Sequence, residues 1–142
     1  MKHIGRRIIL VAVPLLGSSL HAQTVSSVQA EVLVASDSSW NGAKYQSYPQ
    51  GQPQLTVQKL TIPPREPLPW HSHPMPNAVY VVSGQVTIED KFGGKKQTFK
   101  AGQAFTELVG VHRGIAGDDP AVLIITYAGA SGVPTVEPYT GD

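Results

Sequence analysis

The chain of 142 residues contains no cysteine. That absence excludes disulfides, thiolate metal ligands and thiol nucleophiles together. Long apolar runs are missing too: Ile8 to Leu16 is broken by Pro14 and falls well short of the roughly 20 residues that span a bilayer as a helix. Charge is sparse, at 15% of residues against about 25% in a typical soluble domain. It is also nearly balanced, at a formal +1, which leaves no electrostatic footprint for nucleic acid. No window carries the apolar period of an amphipathic helix. What is plentiful is glycine (14) and proline (12), punctuating short β-branched stretches in the manner of an all-β domain.

The N-terminal segment reads as an export signal. Lys2, His3, Arg6 and Arg7 form a basic start, Ile8 to Leu16 an apolar stretch, and Ser18, Ser19 and Ala22 a small-residue exit. That order predicts a signal peptide over 1–22, cleaved after Ala22, and a periplasmic or secreted product with no stable membrane insertion once the signal is gone. Arg6-Arg7 followed by Ile-Ile-Leu is similar to a twin-arginine signal, which carries folded cargo, but paired arginines near an N-terminus are common and the general secretory route is the preferred reading. Cleavage removes three of the eleven basic residues and none of the ten acidic ones, taking the formal charge to −2. The remainder is long enough to bury a core without covalent staples.

Residues 23–53 are expected to form an N-terminal strand and loop segment. It has a polar entry, an apolar strand over Glu31 to Ala35, and a loop or irregular hairpin rich in Ser, Gly, Asn and Pro. Strands are predicted from there at Gln54 to Ile62, Ala78 to Val82, Gln85 to Glu89, Gln97 to Lys100, Ala104 to Leu108, His112 to Ala116 and Ala121 to Tyr127. Pro63, Pro64, Pro67 and Pro69 rule out a helix or central strand between them and leave an extended connection that delivers Trp70 to His73. Glycine and proline separate the strands at intervals near those of a sandwich or barrel. The tail, 129–142, is proline-punctuated and expected to pack loosely on the surface.

Beyond residue 22 the sequence has three histidines: His71, His73 and His112. On an extended strand, residues at i and i+2 point to the same face, so His71 and His73 can chelate one ion. Neutral imidazole is a favoured ligand of divalent transition metals. His112 lies on a later strand that barrel closure can bring opposite the pair. Isolated histidines on a surface or in a core are the competing explanation.

The stretch His71-Ser72-His73-Pro74-Met75-Pro76-Asn77, with Gly84 beyond it, resembles the first motif of the cupin superfamily. There, two histidines at i and i+2 precede an acidic ligand and then a glycine. Gly102 to His112 resembles the second motif. The likeness covers roughly 54–128 and implies a single-domain double-stranded β-helix, a cupin-like β-barrel. It also implies one divalent transition metal ion (Fe, Mn, Ni or Zn) on the three histidines. Asn77 stands where the acidic ligand is expected, Arg65 where a glycine precedes His71, Glu107 to Val111 where a proline-x-glycine turn is expected, and Ala116 where an asparagine follows His112. Asn77 offers only a neutral carbonyl oxygen. Glu107 is the alternative fourth ligand, or a partner that orients an imidazole; a solvent-facing glutamate at a strand end is the plainer reading.

Trp70, Met75 and Phe105 are candidates to wall an apolar pocket. Tyr80 is expected to pack, Arg113 to point outward, and Lys95, Lys96 and Lys100 to form a solvated hairpin face. Fold does not decide function. One expectation is a metal-dependent enzyme of dioxygenase, isomerase or lyase type on a small polar organic substrate. The other is a non-catalytic module that binds or senses a sugar or organic acid. A homodimer is implied by the resemblance alone.

Overall fold

The computed structural model describes residues 27–141, and the expected signal peptide over 1–22 lies outside the described residues. Nine strands and no helix occur among them: β1 (Pro53–Ile62), β2 (His71–Ser72), β3 (Asn77–Ser83), β4 (Gln85–Asp90), β5 (Lys96–Lys100), β6 (Ala104–Thr106), β7 (His112–Ala116), β8 (Ala121–Ala130) and β9 (Glu137–Pro138). They build two antiparallel sheets, β1-β8-β3-β6 and β5-β4-β7-β2-β9. This is the double-stranded β-helix that the cupin resemblance implies, and it fits the all-β barrel that the strand pattern predicts. No helix of the described residues is long and apolar enough to cross a membrane.

Alternation along each strand decides what faces inward. On β8, Ala121, Leu123, Ile125 and Tyr127 are buried, while Val122, Ile124 and Thr126 between them are half-exposed. On β3, Asn77, Val79 and Val81 are buried. Val86 and Ile88 of β4 complete a core between the sheets with Ile62, Phe99 and Phe105. Each such side chain, fully buried, stabilises the fold by roughly 1.5–3 kcal/mol. The Phe99 and Phe105 rings stack at 3.9 Å, linking β5 and β6, the edge strands of the two sheets.

Two backbone positions explain motif residues. Gly84 sits at φ +72°, where a Cβ would lie 2.3 Å from the Pro120 carbonyl oxygen; only glycine fits this turn between β3 and β4. Arg65, where the family motif has glycine, has φ 58° and is the only non-glycine residue with positive φ among the described residues.

Several expectations are revised. Glu31 to Ala35, apolar and β-branched, forms no strand. The following loop is an irregular hairpin with a bridge between Ser38 and Lys44. It covers the free edge of β6, where the Trp40 N–H donates to the Thr106 carbonyl and the Thr106 hydroxyl to the Ser38 carbonyl. β6 stops at Thr106 rather than Leu108, and β8 runs on to Ala130. The tail does not lie loose: β9 adds to the second sheet beside β2, pairing His71 with Pro138 and Ser72 with Glu137.

Candidate metal centre

β2 is two residues long because prolines hem it in, yet it sits between β7 and β9. His71 pairs directly with His112 across the β2–β7 ladder. His73 follows two residues later on the same face, buried like His112. One nitrogen from each of the three rings lies within 4.8 Å of the others. Ring centroids are 4.6 to 5.0 Å apart.

Each imidazole is held by its other nitrogen. Nδ1 of His71 meets the Pro69 carbonyl at 2.8 Å, Nδ1 of His73 the Thr135 carbonyl at 2.6 Å, and Nδ1 of His112 the Gly110 carbonyl at 2.7 Å. A carbonyl only accepts, so each Nδ1 carries the proton and each Nε2 keeps its lone pair. The turn after Glu107 stands where the family has proline-x-glycine, and it does two jobs. The Val109 carbonyl accepts the His73 backbone N–H, and the Gly110 carbonyl orients His112.

Glu107 turns inward. Its Oε2 is 3.2 Å from His73 Nε2 and its Oε1 3.2 Å from His112 Nε2, with the carboxylate buried. Burial alone would raise its pKa; the two imidazoles outweigh burial and hold the carboxyl well below the usual carboxylate range. Burial likewise lowers His112, but Glu107 overrides it and raises that imidazole. At His71 burial prevails and the pKa falls. Despite the short distances, the angles make no hydrogen bond. His73 Nε2, His112 Nε2 and Glu107 Oε2 are buried without partners. Orphaned buried donors and acceptors cost roughly 1–3 kcal/mol each, and a divalent cation among them satisfies all three. The residues present therefore fit a metal ion.

Asn77 is buried, with both side-chain polar atoms unpaired. It does not line the cavity beside the histidines, whereas Glu107 does. The β3–β6 register pairs Ala78 with Thr106. One step further it sets Asn77 opposite Glu107, whose N–H donates to the Asn77 carbonyl at 3.2 Å.

That cavity measures about 280 Å³. Trp70 lines it, as anticipated; Met75 and Phe105 do not, being packed in the core. Tyr127, unremarked in the sequence, is a lining residue with its ring 5.4 Å from that of His73. Its hydroxyl donates to Gln58 Oε1 at 3.3 Å, and burial with the Glu107 charge pushes its pKa up, so it stays a neutral phenol. Tyr80 faces outward. Arg113 also points away from the cavity, pairs with Glu89 at 2.7 Å and lies 4.4 Å over the Trp70 ring. Lys96 bonds Glu89, and Lys95 donates to the Asn41 carbonyl.

Residues 58–127 match the family model described as a cupin domain. Among solved structures, the polyketide cyclase RemF from Streptomyces resistomycificus is 17% identical, over 62% of this chain and 62% of its own, with a TM-score of 0.51. A cupin-like protein from Thermotoga maritima is 21% identical over 60% of this chain and 64% of its own, with a TM-score of 0.51. The DMSP lyase DddQ from Ruegeria pomeroyi is 18% identical over 71% of this chain and 49% of its own, with a TM-score of 0.54. The chain thus spans less than two thirds of the length of each, and at these identities the likeness is one of fold. No curated protein matches the sequence.

Proposed function

This chain belongs to the cupin superfamily, and we propose that it is an exported, metal-dependent enzyme acting on a small organic molecule bound in its barrel. The observation that carries this reading is the locked tautomer of all three histidines. Their Nδ1 protons are committed to carbonyls, and their Nε2 lone pairs are free beside a buried, ionised Glu107. His71, His73, His112 and Glu107 would hold one divalent ion, of Fe, Mn, Ni or Zn type. When bound, it would supply Lewis-acid polarisation or oxygen activation. His71, His73 and Glu107 line the cavity, so a ligand there meets the centre directly, unlike the closed ligand shell of a structural site.

In this reading the carboxylate has moved one strand across the sheet, from the position of Asn77 to Glu107 facing it. Glu107→Gln is expected to lower metal affinity by at least about a hundredfold, the upper end of what outer partners of a ligand cost, as read by chelator competition. Asn77→Glu introduced into that variant is expected to recover part of the loss. Full metal retention by Glu107→Gln would remove Glu107 from the ligand set. A washed protein with no stoichiometric metal on elemental analysis would sink the centre altogether.

A second reading, a non-catalytic ligand-binding protein, is favoured by one feature: among the described residues Glu107 is the only carboxylate lining the cavity, so none of them offers a second acid for proton transfer. Turnover by the metal-loaded protein that His73→Ala abolishes would decide for the enzyme. Export rests on the basic, apolar, small-residue order of 1–22. A mature N-terminus at Gln23 in the extracytoplasmic fraction would support it.

A further inference from the structure

The walls of the cavity say more about its ligand than the metal end does. A polar substrate was the expectation, but beyond the centre the cavity is lined chiefly by Leu60, Ile62, Val86, Ile88, Leu123 and Ile125. The neutral polar side chains of the lining are Gln58, Tyr127 and the Trp70 indole, and the Gln58 carboxamide and Tyr127 hydroxyl are already paired with each other. Among the described residues no lysine or arginine lines it; Arg113, behind Trp70, is committed to Glu89.

Charge then restricts what can enter. This step rests on the reading that His71, His73, His112 and Glu107 hold a divalent cation. Three neutral imidazoles and one carboxylate leave the centre with one net positive charge. One anionic group on a ligand neutralises it. A second, buried among aliphatic side chains with no cation in reach, would be left uncompensated. A sugar fares no better, since its hydroxyls would outnumber the partners available. The volume, about 280 Å³, is just below the range of about 300–1,000 Å³ of sites for drug-sized ligands.

We propose that the ligand is a small, apolar-bodied monoanion with a single oxygen-donor head, such as an aromatic or branched aliphatic monocarboxylate or an enolate. The head faces the histidines and Glu107, and the body lies against the aliphatic walls. A lone hydroxyl or carbonyl on the body can be accepted by Gln58 and Tyr127.

Calorimetric titration of the metal-loaded protein with benzoate, malonate and glucose tests this, with metal content measured on the same sample. Benzoate is expected to bind at least about tenfold more tightly than malonate, and glucose not to bind. Leu60→Lys places an ammonium at the wall from a half-buried position on an edge strand, where a long side chain can adjust. It is expected to bring malonate to within about threefold of benzoate. A loaded sample that prefers malonate or glucose, or that binds none of the three, overturns this inference while leaving the metal centre standing. A sample that takes up no divalent ion overturns both.

Discussion

His112 and the His71–His73 pair arrive at the same point by different means. His112 opens β7, a five-residue strand with full ladders to β4, and is completely buried. Its ring is fixed by Gly110, two residues away. The other two lie on or just beyond β2, a two-residue strand between prolines. They depend on distant chain: β9 flanks β2, the Tyr139 N–H donates to the Trp70 carbonyl, and Thr135 supplies the acceptor for His73. One arm of the centre is thus built into the sheet, and the other is strapped on by the C-terminal segment. Outside the barrel the Arg113 side chain, next to His112, lies over Trp70, next to His71, and links the arms.

The largest effects should come from breaking either arm. Ending the chain at Pro134 removes β9 and the Thr135 carbonyl while sparing β1 to β8. Far-ultraviolet dichroism is expected to stay that of a folded barrel while metal affinity falls about ten- to hundredfold, the usual cost of losing the outer partners of a ligand. His112→Ala should cost more than the truncation. Unchanged affinity in the truncated chain would show that β2 needs no strap.

A smaller effect should come from the outer link. Glu89 bonds Lys96 and Arg113, and its carboxyl is held below the ordinary value, Lys96 contributing most. A lowered carboxyl pKa means the folded state favours the ionised form. The stabilisation is therefore present above the ordinary carboxyl pKa and lost as pH falls through the folded one. Wild type is expected to exceed Glu89→Gln in stability by on the order of 1 kcal/mol at neutral pH. Thermal melts should converge as pH drops below about 4. A gap that persists in acid would point to packing instead of charge.

Smallest is the test at Arg65. A left-handed conformation costs a non-glycine residue about 1–2 kcal/mol, and glycine offsets that with about 0.5–1 kcal/mol of extra chain entropy. Arg65→Gly also gives up the Asp118 pair, which is exposed on both sides and worth little. A rise in stability of about 0.5 kcal/mol is expected; a fall would mean that Asp118 matters more than backbone strain.

The built-in arm was far more legible in sequence than the strapped one. His112 heads a run whose alternation marks a strand, and the i, i+2 spacing of His71 and His73 placed both on one face. Glu107 was within reach because it sits at a strand end. That Glu107, and not Asn77, lies beside the histidines emerges only from the assembled β3–β6 pair, which a single sequence does not state. β9 was invisible, because two residues carry no periodicity, and Thr135 acts through its backbone, which leaves no side-chain signature. Glu31 to Ala35 shows the converse: a β-branched run with nothing to pair with is not a strand. Leu123 and Ile125 were legible as inward-facing. That they wall a cavity as well as a core depends on how far apart the two sheets stand, a property of the assembled barrel.

The strap also sets a timetable. Residues 135–138 follow the whole barrel in the chain, so synthesis delivers eight strands of sheet and His112 before the carbonyl that seats His73. The histidine cluster is then among the last features to form, and the proposed metal affinity would mature with it. The ion it acquires would be drawn from whichever compartment holds the chain when that final strand docks. On the proposed reading, metal choice would be tied to where folding ends as much as to which ligands the chain presents.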